Sequence, residues 1–529
     1  MGAVTTLRQA VASIPDGALL TFGGFQLNRA PMALVFELIR QRRRDLRVVS
    51  PPNPVPLDLL VAADAIAEAE FGFLGFQFED GFVVAPSVRR AIEAGTLRFR
   101  ERDVYEIVQA LRAGALGVPF LPAPGGEGSD YLKVNRTPSV GDPATGGTTL
   151  IAPAVRPDVA LIHAQIADRR GNLRIDDPYA ERLLARASLR VIASAEKLVE
   201  RLDDPTIPAH LVESVAEAPA GAFPTSCYRC YPYSAAHLRE YVAAATAGRT
   251  GDYIRTYVTG THDHAAFVRA IDSPGGWDRA AAPSRGAPEG GPTAADRLVV
   301  EMARCISDGD VVATGVASAL AMLAVALARA THAPRLRYIN CVGAVDPVVS
   351  AASPTSVDPR LLERCEGTVS LPDLFDRARR GGIDLMFFGA AQVDAAGRTN
   401  STCIGEFHRP RVKLPGPAGS SSMRPYLPKV VITVSRHSPR SLVERVDFCT
   451  TAASPRNSVT TVLTDRARFR LDGDRLRPVS RAAGISPEDL RSSTAFAIED
   501  GGETAAGATR AETDALHRLD PDGIRRRMI

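Results

Sequence analysis

Ile14-Pro15-Asp16-Gly17, followed by Ala18-Leu19-Leu20 and Gly23-Gly24, recurs as Ile306-Ser307-Asp308-Gly309, followed by Asp310-Val311-Val312 and Gly315 at the same spacing. In each copy an Asp-Gly turn feeds a short apolar run that reads as a buried strand, ending in glycine where a helix begins. Glycine at such a strand-to-helix turn admits a ligand close to the backbone. A second echo points the same way. Pro157-Asp158-Val159-Ala160-Leu161-Ile162 with Gln165 and Gly171-Asn172 matches Ile383-Asp384-Leu385-Met386-Phe387-Phe388 with Gln392 and Gly397, slipped by one residue. The chain reads as two related α/β halves fused into one polypeptide.

The alternation extends outward from both copies. Strand-like runs at Leu46 to Val49, Val159 to Ile162 and Leu189 to Ile192 alternate with helical patterns at Pro31 to Arg40 and Pro86 to Ala94. Later, Asp310 to Thr314, Leu336 to Ile339 and Val430 to Val434 read as strands and Ala319 to Ala328 as a helix. Strands alternating with helices predict mainly parallel sheets covered on both faces, with ligands at the carboxyl ends of the strands. Between the halves, Ser273 to Thr293 is rich in Pro, Gly and Ala and has linker composition. The expected domains are 1–272, a linker 273–293, a second domain 294–500 and a tail 501–529, whose mixed Gly, Ala, Thr and Arg reads as partly disordered.

At 529 residues the chain exceeds what one core can serve, and its 45% hydrophobic and 23% charged content suits a globular enzyme. The net charge is only +3, and no run of Lys or Arg interleaves with aromatics, which argues against a nucleic-acid partner. Arg42-Arg43-Arg44 reads as a solvated helix end. There is no basic start followed by an apolar stretch, and no apolar run approaches the roughly 20 residues of a membrane span, so the expectation is a cytoplasmic protein. Seven irregularly spaced cysteines make no disulfide framework. Cys227 and Cys230 have C-x-x-C spacing, but no second pair at zinc-ligand spacing follows, and no metal is expected.

Four segments carry a resemblance. They are Thr21-Phe22-Gly23-Gly24-Phe25 with Ala30-Pro31; Ala113-Gly114-Ala115-Leu116-Gly117-Val118-Pro119-Phe120; Ala218-Pro219-Ala220-Gly221-Ala222 before Pro224-Thr225-Ser226-Cys227; and Pro415-Gly416-Pro417-Ala418-Gly419. In this order they resemble class I CoA transferases, with glutaconate CoA-transferase segments from both subunits joined in one chain. The resemblance implies two CoA-transferase-type domains with the site between the halves and an acyl-CoA substrate. It implies coenzyme A as part of that substrate, no permanently bound cofactor, and a homodimer. By the same resemblance, Gly416 to Gly419 is the loop whose backbone N–H groups face the thioester carbonyl. Pro417 offers no N–H, which leaves Gly419 and Ser420 as donors. Gly23, Gly24 and Phe25 would line the other wall, with Asn28 and Arg29 as polar groups.

The family's chemistry uses a second-half glutamate that carries CoA as a thioester, in a turn after a strand that follows an Ala-Pro pair. Here Ala333-Pro334 precedes Leu336 to Ile339, and the turn reads Asn340-Cys341-Val342-Gly343-Ala344. Cys341 stands at the expected glutamate position, and the nearest acid is Asp346. Three readings follow. Cys341 is a nucleophile, which requires a lowered thiol pKa and an activating neighbour, Arg335 and Arg337 being close in sequence. Or Cys341 fills space and catalysis lies elsewhere, as in the ring-opening CoA hydrolases that resemble this chain and lack the glutamate. Or the protein only binds a CoA ester.

In the ring-opening branch a first-half glutamate serves the chemistry from an acidic cluster, and the matching stretch here is Glu101-Arg102-Asp103-Val104-Tyr105-Glu106. Glu106 is the first choice for water activation and Asp103 the second. Phe78-Glu79-Asp80-Gly81-Phe82 is a further acidic turn. The expected function is an acyl-CoA hydrolase, acting by carbon-carbon ring opening or through an acyl-enzyme. A true CoA transferase is the alternative, and a non-catalytic CoA-ester-binding protein the second alternative.

Overall fold

The computed structural model describes residues 3–78, 81–144, 146–271 and 293–528. Positions 273–292 of the expected linker, and Glu79 and Asp80 of the further acidic turn, lie outside the described residues.

Each half is built on one large sheet. The first has nine strands, and eight of them form the order Ala3–Val4, Val212–Glu217, Arg190–Val199, Val159–Asp168, Leu19–Phe22, Leu46–Ser50, Ile66–Phe71, Arg98–Glu101, paired parallel throughout. The ten-stranded second sheet has a parallel centre in the order Arg337–Asn340, Val311–Thr314, Leu385–Gly389, Lys429–Val434, Val459–Thr464. These five occupy the same relative places as Leu46–Ser50, Leu19–Phe22, Val159–Asp168, Arg190–Val199 and Val212–Glu217. Both sequence echoes therefore fall on corresponding strands, and the slip of one residue does not disturb the match.

Helices cover the sheets because their apolar faces need burial. Met32–Arg40 buries every residue but its last, and Ala319–Thr331 buries a continuous run from Ala321 to Ala328. Val104–Leu116 starts at Asp103, whose carboxylate accepts the Tyr105 N–H, and stops at Gly117 in the left-handed conformation (φ 73°).

The two halves share a core. Phe25, Val104, Tyr105 and Tyr179 of the first half belong to the hydrophobic cluster of the second. Polar bonds cross the same junction, including a bidentate Arg112–Asp376 pair (2.9 and 2.7 Å) and Lys413–Glu101 (2.9 Å).

The C-terminal segment differs from expectation. Residues 510–519 form a helix with a Thr509/Glu512 capping box, and Ala515 and Leu516 are buried in the second-half core. Arg525 is buried and paired with both Asp296 and Asp520. Low-complexity composition hid a short amphipathic helix and the ion pairs that anchor it. No helix among the described residues is long and apolar enough to cross a membrane.

Candidate functional site

The carboxyl ends of Leu19–Phe22 and Arg337–Asn340 bring the first set of expected residues together. The Gly23 carbonyl accepts from Asn53 Nδ2 (2.7 Å), and the Gly24 N–H donates to Glu181 Oε1 (2.9 Å). Gly24 has φ 85°, and a Cβ there would press on the carbonyls of Asn28 and Arg29. Phe25 stacks on Tyr179 at 5.2 Å, and Asn28 Nδ2 donates across the junction to the Val357 carbonyl (2.7 Å). Arg29 is fully buried, bonded to Asp177 and Glu181; burial alone would lower its pKa, but the two carboxylates hold it above the usual range.

Cys341 lies within this group. It is buried, and its S–H donates to the Ser356 carbonyl (3.8 Å). Burial pushes the thiol up to about 12. Among the described residues no cation offsets this: Arg335 pairs with Asp308, and Arg337 with Asp346 and Glu366. Asp346 is likewise committed to Arg329 and Arg337. The requirement that the nucleophile reading set out, a lowered thiol pKa with a basic neighbour, is absent from this geometry. Gly343 has φ 94°, and a Cβ there would collide with the Val369 carbonyl, so this turn needs glycine for packing alone.

Tyr179 was missed by sequence reasoning. Its ring lies in the second-half core, and its hydroxyl is buried without a hydrogen-bond partner and pushed above its usual range first by burial and then by Asp177. Nothing in Asp177-Pro178-Tyr179 signals this, because the contact is made across the two halves.

The second set surrounds the loop Gly416–Ser420. Gly416 has φ 105°, and a Cβ there would collide with Glu101 Oε1. The Ala418 N–H donates to the Gly72 carbonyl, and the Ala418 carbonyl accepts the Val104 N–H (2.8 and 2.7 Å). The Ser420 N–H, one of the two expected oxyanion donors, turns back to the Pro417 carbonyl (2.9 Å). Gly419 packs its Cα against Phe375, and the Ser420 hydroxyl is buried without a partner.

The carboxylates of the Glu101–Glu106 stretch divide by environment. Glu106 Oε1 accepts from Arg102 Nε (2.9 Å), and the same guanidinium bonds Glu70. Asp103 is buried and accepts from the Tyr105 N–H, the Ser422 N–H and the Ser422 hydroxyl. Burial outweighs these bonds and pushes Asp103 up to about 7. Glu101 is completely buried at the end of Arg98–Glu101; burial raises its pKa against the attraction of Lys413. Its Oε1 takes the Lys413 ammonium; its Oε2 lacks a well-formed hydrogen bond, although the nearby Tyr131 hydroxyl, itself bonded to Thr402, also favours the charged form.

Two cavities bear on where a ligand sits. One of about 140 Å³ opens at the carboxyl ends of Val311–Thr314, Leu385–Gly389 and Lys429–Val434, between Gln77 of the first half and Met302, Ser318, Phe388 and Thr433. The other, about 1010 Å³, lies at the amino end of Val459–Thr464 among Arg398, Ser454, Asn457 and Asp472, and neither cavity is lined by any of the expected residues. Ligands of parallel sheets bind at carboxyl ends, so the smaller space is the candidate despite its size. Among the described residues one group has metal-ligand geometry, His163, Glu196 and Cys227, and it adjoins the first set, since Arg29 Nη1 donates to the His163 carbonyl (2.8 Å).

Residues 4–218 and 296–472 match the family model described as Coenzyme A transferase. The chain belongs to the CoA transferase family. This CoA transferase family member is 32% identical over 276 residues to the cholesterol ring-cleaving hydrolase IpdA subunit of Rhodococcus jostii, covering 49% of this chain and 92% of that protein. It is 30% identical over 282 residues to one of the two matching subunits of the 3-oxoadipate CoA-transferase of Pseudomonas knackmussii, covering 51% and 99%. The other matches at 28% over 243 residues, covering 42% and 92%, in keeping with two subunits fused in one chain. The chain spans 59% of an uncharacterized protein of Archaeoglobus fulgidus at 31% identity. An acyl-CoA transferase structure from E. coli aligns over 99% of this chain and 97% of its own with a TM-score of 0.68 and 16% identity, which establishes the shared fold. The family acts on CoA thioesters, and its members include transferases and hydrolase-type enzymes.

Proposed function

We propose that this protein hydrolyses a CoA thioester substrate, at a carbon-carbon bond or at the thioester, without a covalent CoA-enzyme intermediate. The observation that carries the proposal is Cys341, a buried, protonated thiol where the family resemblance expects the glutamate. Only the thiolate attacks a carbonyl at a useful rate, and a thiol with a pKa near 12 supplies almost none at neutral pH. The 32% identity to a ring-cleaving hydrolase subunit supports the same direction.

In this reading Glu101 is the acid–base group. Its Oε2 lacks a well-formed hydrogen bond, and burial raises its pKa above the ordinary carboxylate value, which favours its taking up a proton. Asp103 positions the Gly419–Ser422 turn through Ser422, and the Gly419 N–H is the remaining oxyanion donor. Glu106 holds Arg102 in place. A cytoplasmic homodimer completes the proposal.

The test is incubation with a panel of acyl-CoA esters without a carboxylate acceptor, following free CoA, the mass of the ester and the intact protein mass. Turnover with water alone supports the hydrolase, whether CoA is released or stays on an opened acyl group. An absolute need for an acceptor, with a CoA-sized adduct on the protein, sinks it in favour of the transferase. Binding without turnover across the panel, unchanged in Cys341→Ala and Glu101→Gln, leaves the binding-protein alternative.

A further inference from the structure

The C-x-x-C pair lies outside both sets of site residues. Cys227, Tyr228, Arg229 and Cys230 form a tight turn closed by the Cys230 N–H donating to the Cys227 carbonyl (2.9 Å), with Arg229 at φ 65°. A four-residue turn holds its end Cα atoms within about 7 Å, and a disulfide spans about 4.4–6.8 Å. Cys227 is buried and Cys230 exposed, and the two thiols are close enough to influence each other's ionisation. That proximity lowers the pKa of Cys230 and raises that of Cys227.

The neighbouring His163 and Glu196 suggest a metal, but their atoms are engaged. His163 Nε2 meets Glu196 Oε1 (2.8 Å) and Nδ1 meets Ser194 Oγ (2.8 Å). Glu196 also accepts from the Ala220 N–H, the Gly221 N–H and the Tyr231 hydroxyl (2.7, 3.2 and 2.5 Å). This network clamps Tyr231, whose N–H closes on the Cys227 carbonyl (2.9 Å), and so holds the turn rigid. A pre-set turn with one exposed and one buried thiol is suited to thiol–disulfide exchange.

We propose that Cys227 and Cys230 form a reversible disulfide by exchange with a low-molecular-weight disulfide of the glutathione class. The Cys230 thiolate attacks one sulfur of the small disulfide, whose S–S bond breaks and releases one thiolate. Once Cys230 is capped, the first cause of the raised Cys227 pKa is gone, and Cys227 attacks the Cys230 sulfur of the mixed disulfide as its proton passes to the second departing thiolate. The protein loses two hydrogens and two small thiols form. The pair is wired to the candidate site. Ser226, next in the chain, donates its hydroxyl to Asn28 Oδ1 (2.7 Å), and Asn28 Nδ2 holds Val357 beside the Ser356 carbonyl that takes Cys341.

The full-length protein is equilibrated in glutathione buffers, quenched by alkylation and mapped by mass spectrometry, a readout independent of any enzymatic activity. The expected result is joint protection of Cys227 and Cys230 from alkylation, and accumulation of glutathione on Cys230 in Cys227→Ser. Doubling total glutathione at a fixed thiol-to-disulfide ratio lowers the oxidised-to-reduced ratio about twofold for an internal disulfide and leaves a mixed disulfide unchanged. A stable glutathione adduct on wild-type Cys230, or both thiols remaining alkylatable in oxidising buffer, overturns the proposal. So does stoichiometric zinc that co-purifies with the protein and is lost in Cys230→Ser.

Discussion

Cys341 and Asp103 are both buried and both carry raised pKa values, yet the consequences are opposite. Cys341 gains nothing from its protonation state except packing, with its S–H satisfied by the Ser356 carbonyl. Cys341→Ala is therefore expected to keep most turnover, and native Cys341 to resist iodoacetamide at pH 8 under conditions that modify the exposed Cys230. Turnover assays and peptide mapping decide these, and rapid alkylation of Cys341 would restore the nucleophile reading. For Asp103 the folded pKa of about 7 lies above the ordinary value of 3.8, so the native state binds the proton more tightly than the unfolded chain. The stability this contributes is complete below pH 4 and is lost as pH rises toward 7, by up to about 1.4 kcal/mol per pH unit. Urea midpoints of wild type and Asp103→Asn between pH 4.5 and 8.5 should converge or cross as pH rises; parallel curves would show that Asp103 does not titrate in this window. Glu101→Gln tests the remaining carboxylate, with turnover expected to fall at least 100-fold while CoA-ester binding persists, as loss of a general base does. Unchanged turnover would remove Glu101 from the chemistry.

Elements, rather than single residues, explain what the sequence disclosed. The strand and helix runs of both halves were legible because they are continuous apolar segments of about the right length, punctuated by glycine and Asp-Gly turns. The Gly416 turn was legible as a motif, but its partner was not, because the strand end at Glu101 and the loop at Gly416 meet only after both halves fold. Glu106 and Glu101 look alike in sequence; one faces Arg102 and the other is sealed against Lys413, a difference made by helix phase and sheet position. The same meeting predicts a coupling. Gly416→Ala pays for a left-handed backbone in any background, about 1 kcal/mol, and adds a collision only while Glu101 is present. A double-mutant cycle with Glu101→Ala in a Lys413→Met background, which avoids leaving a buried cation unpaired, is expected to show coupling above about 1 kcal/mol in denaturant unfolding. Additive effects would mean that the loop stands clear of Glu101.

At the scale of the whole molecule, the fusion joins two halves whose junction already buries a shared core. Phe25, Tyr105 and Tyr179 sit in the core of the other half, and the crossing bonds of Arg112, Lys413 and Asp103 include members buried on both sides. Two polypeptides meeting through such a surface would expose it whenever they separated, and apolar surface costs about 25 cal/mol for each Å² returned to water. The connection between the halves then acts by raising the local concentration of one half near the other, and the shared core supplies the affinity. A protease site engineered between Gly290 and Gly291, in the segment of linker composition, separates these two contributions. After cleavage the halves are expected to co-elute in gel filtration at micromolar concentration and to keep the turnover of the intact chain. Dissociation on cleavage would mean that the covalent link, rather than the buried junction, holds the site together.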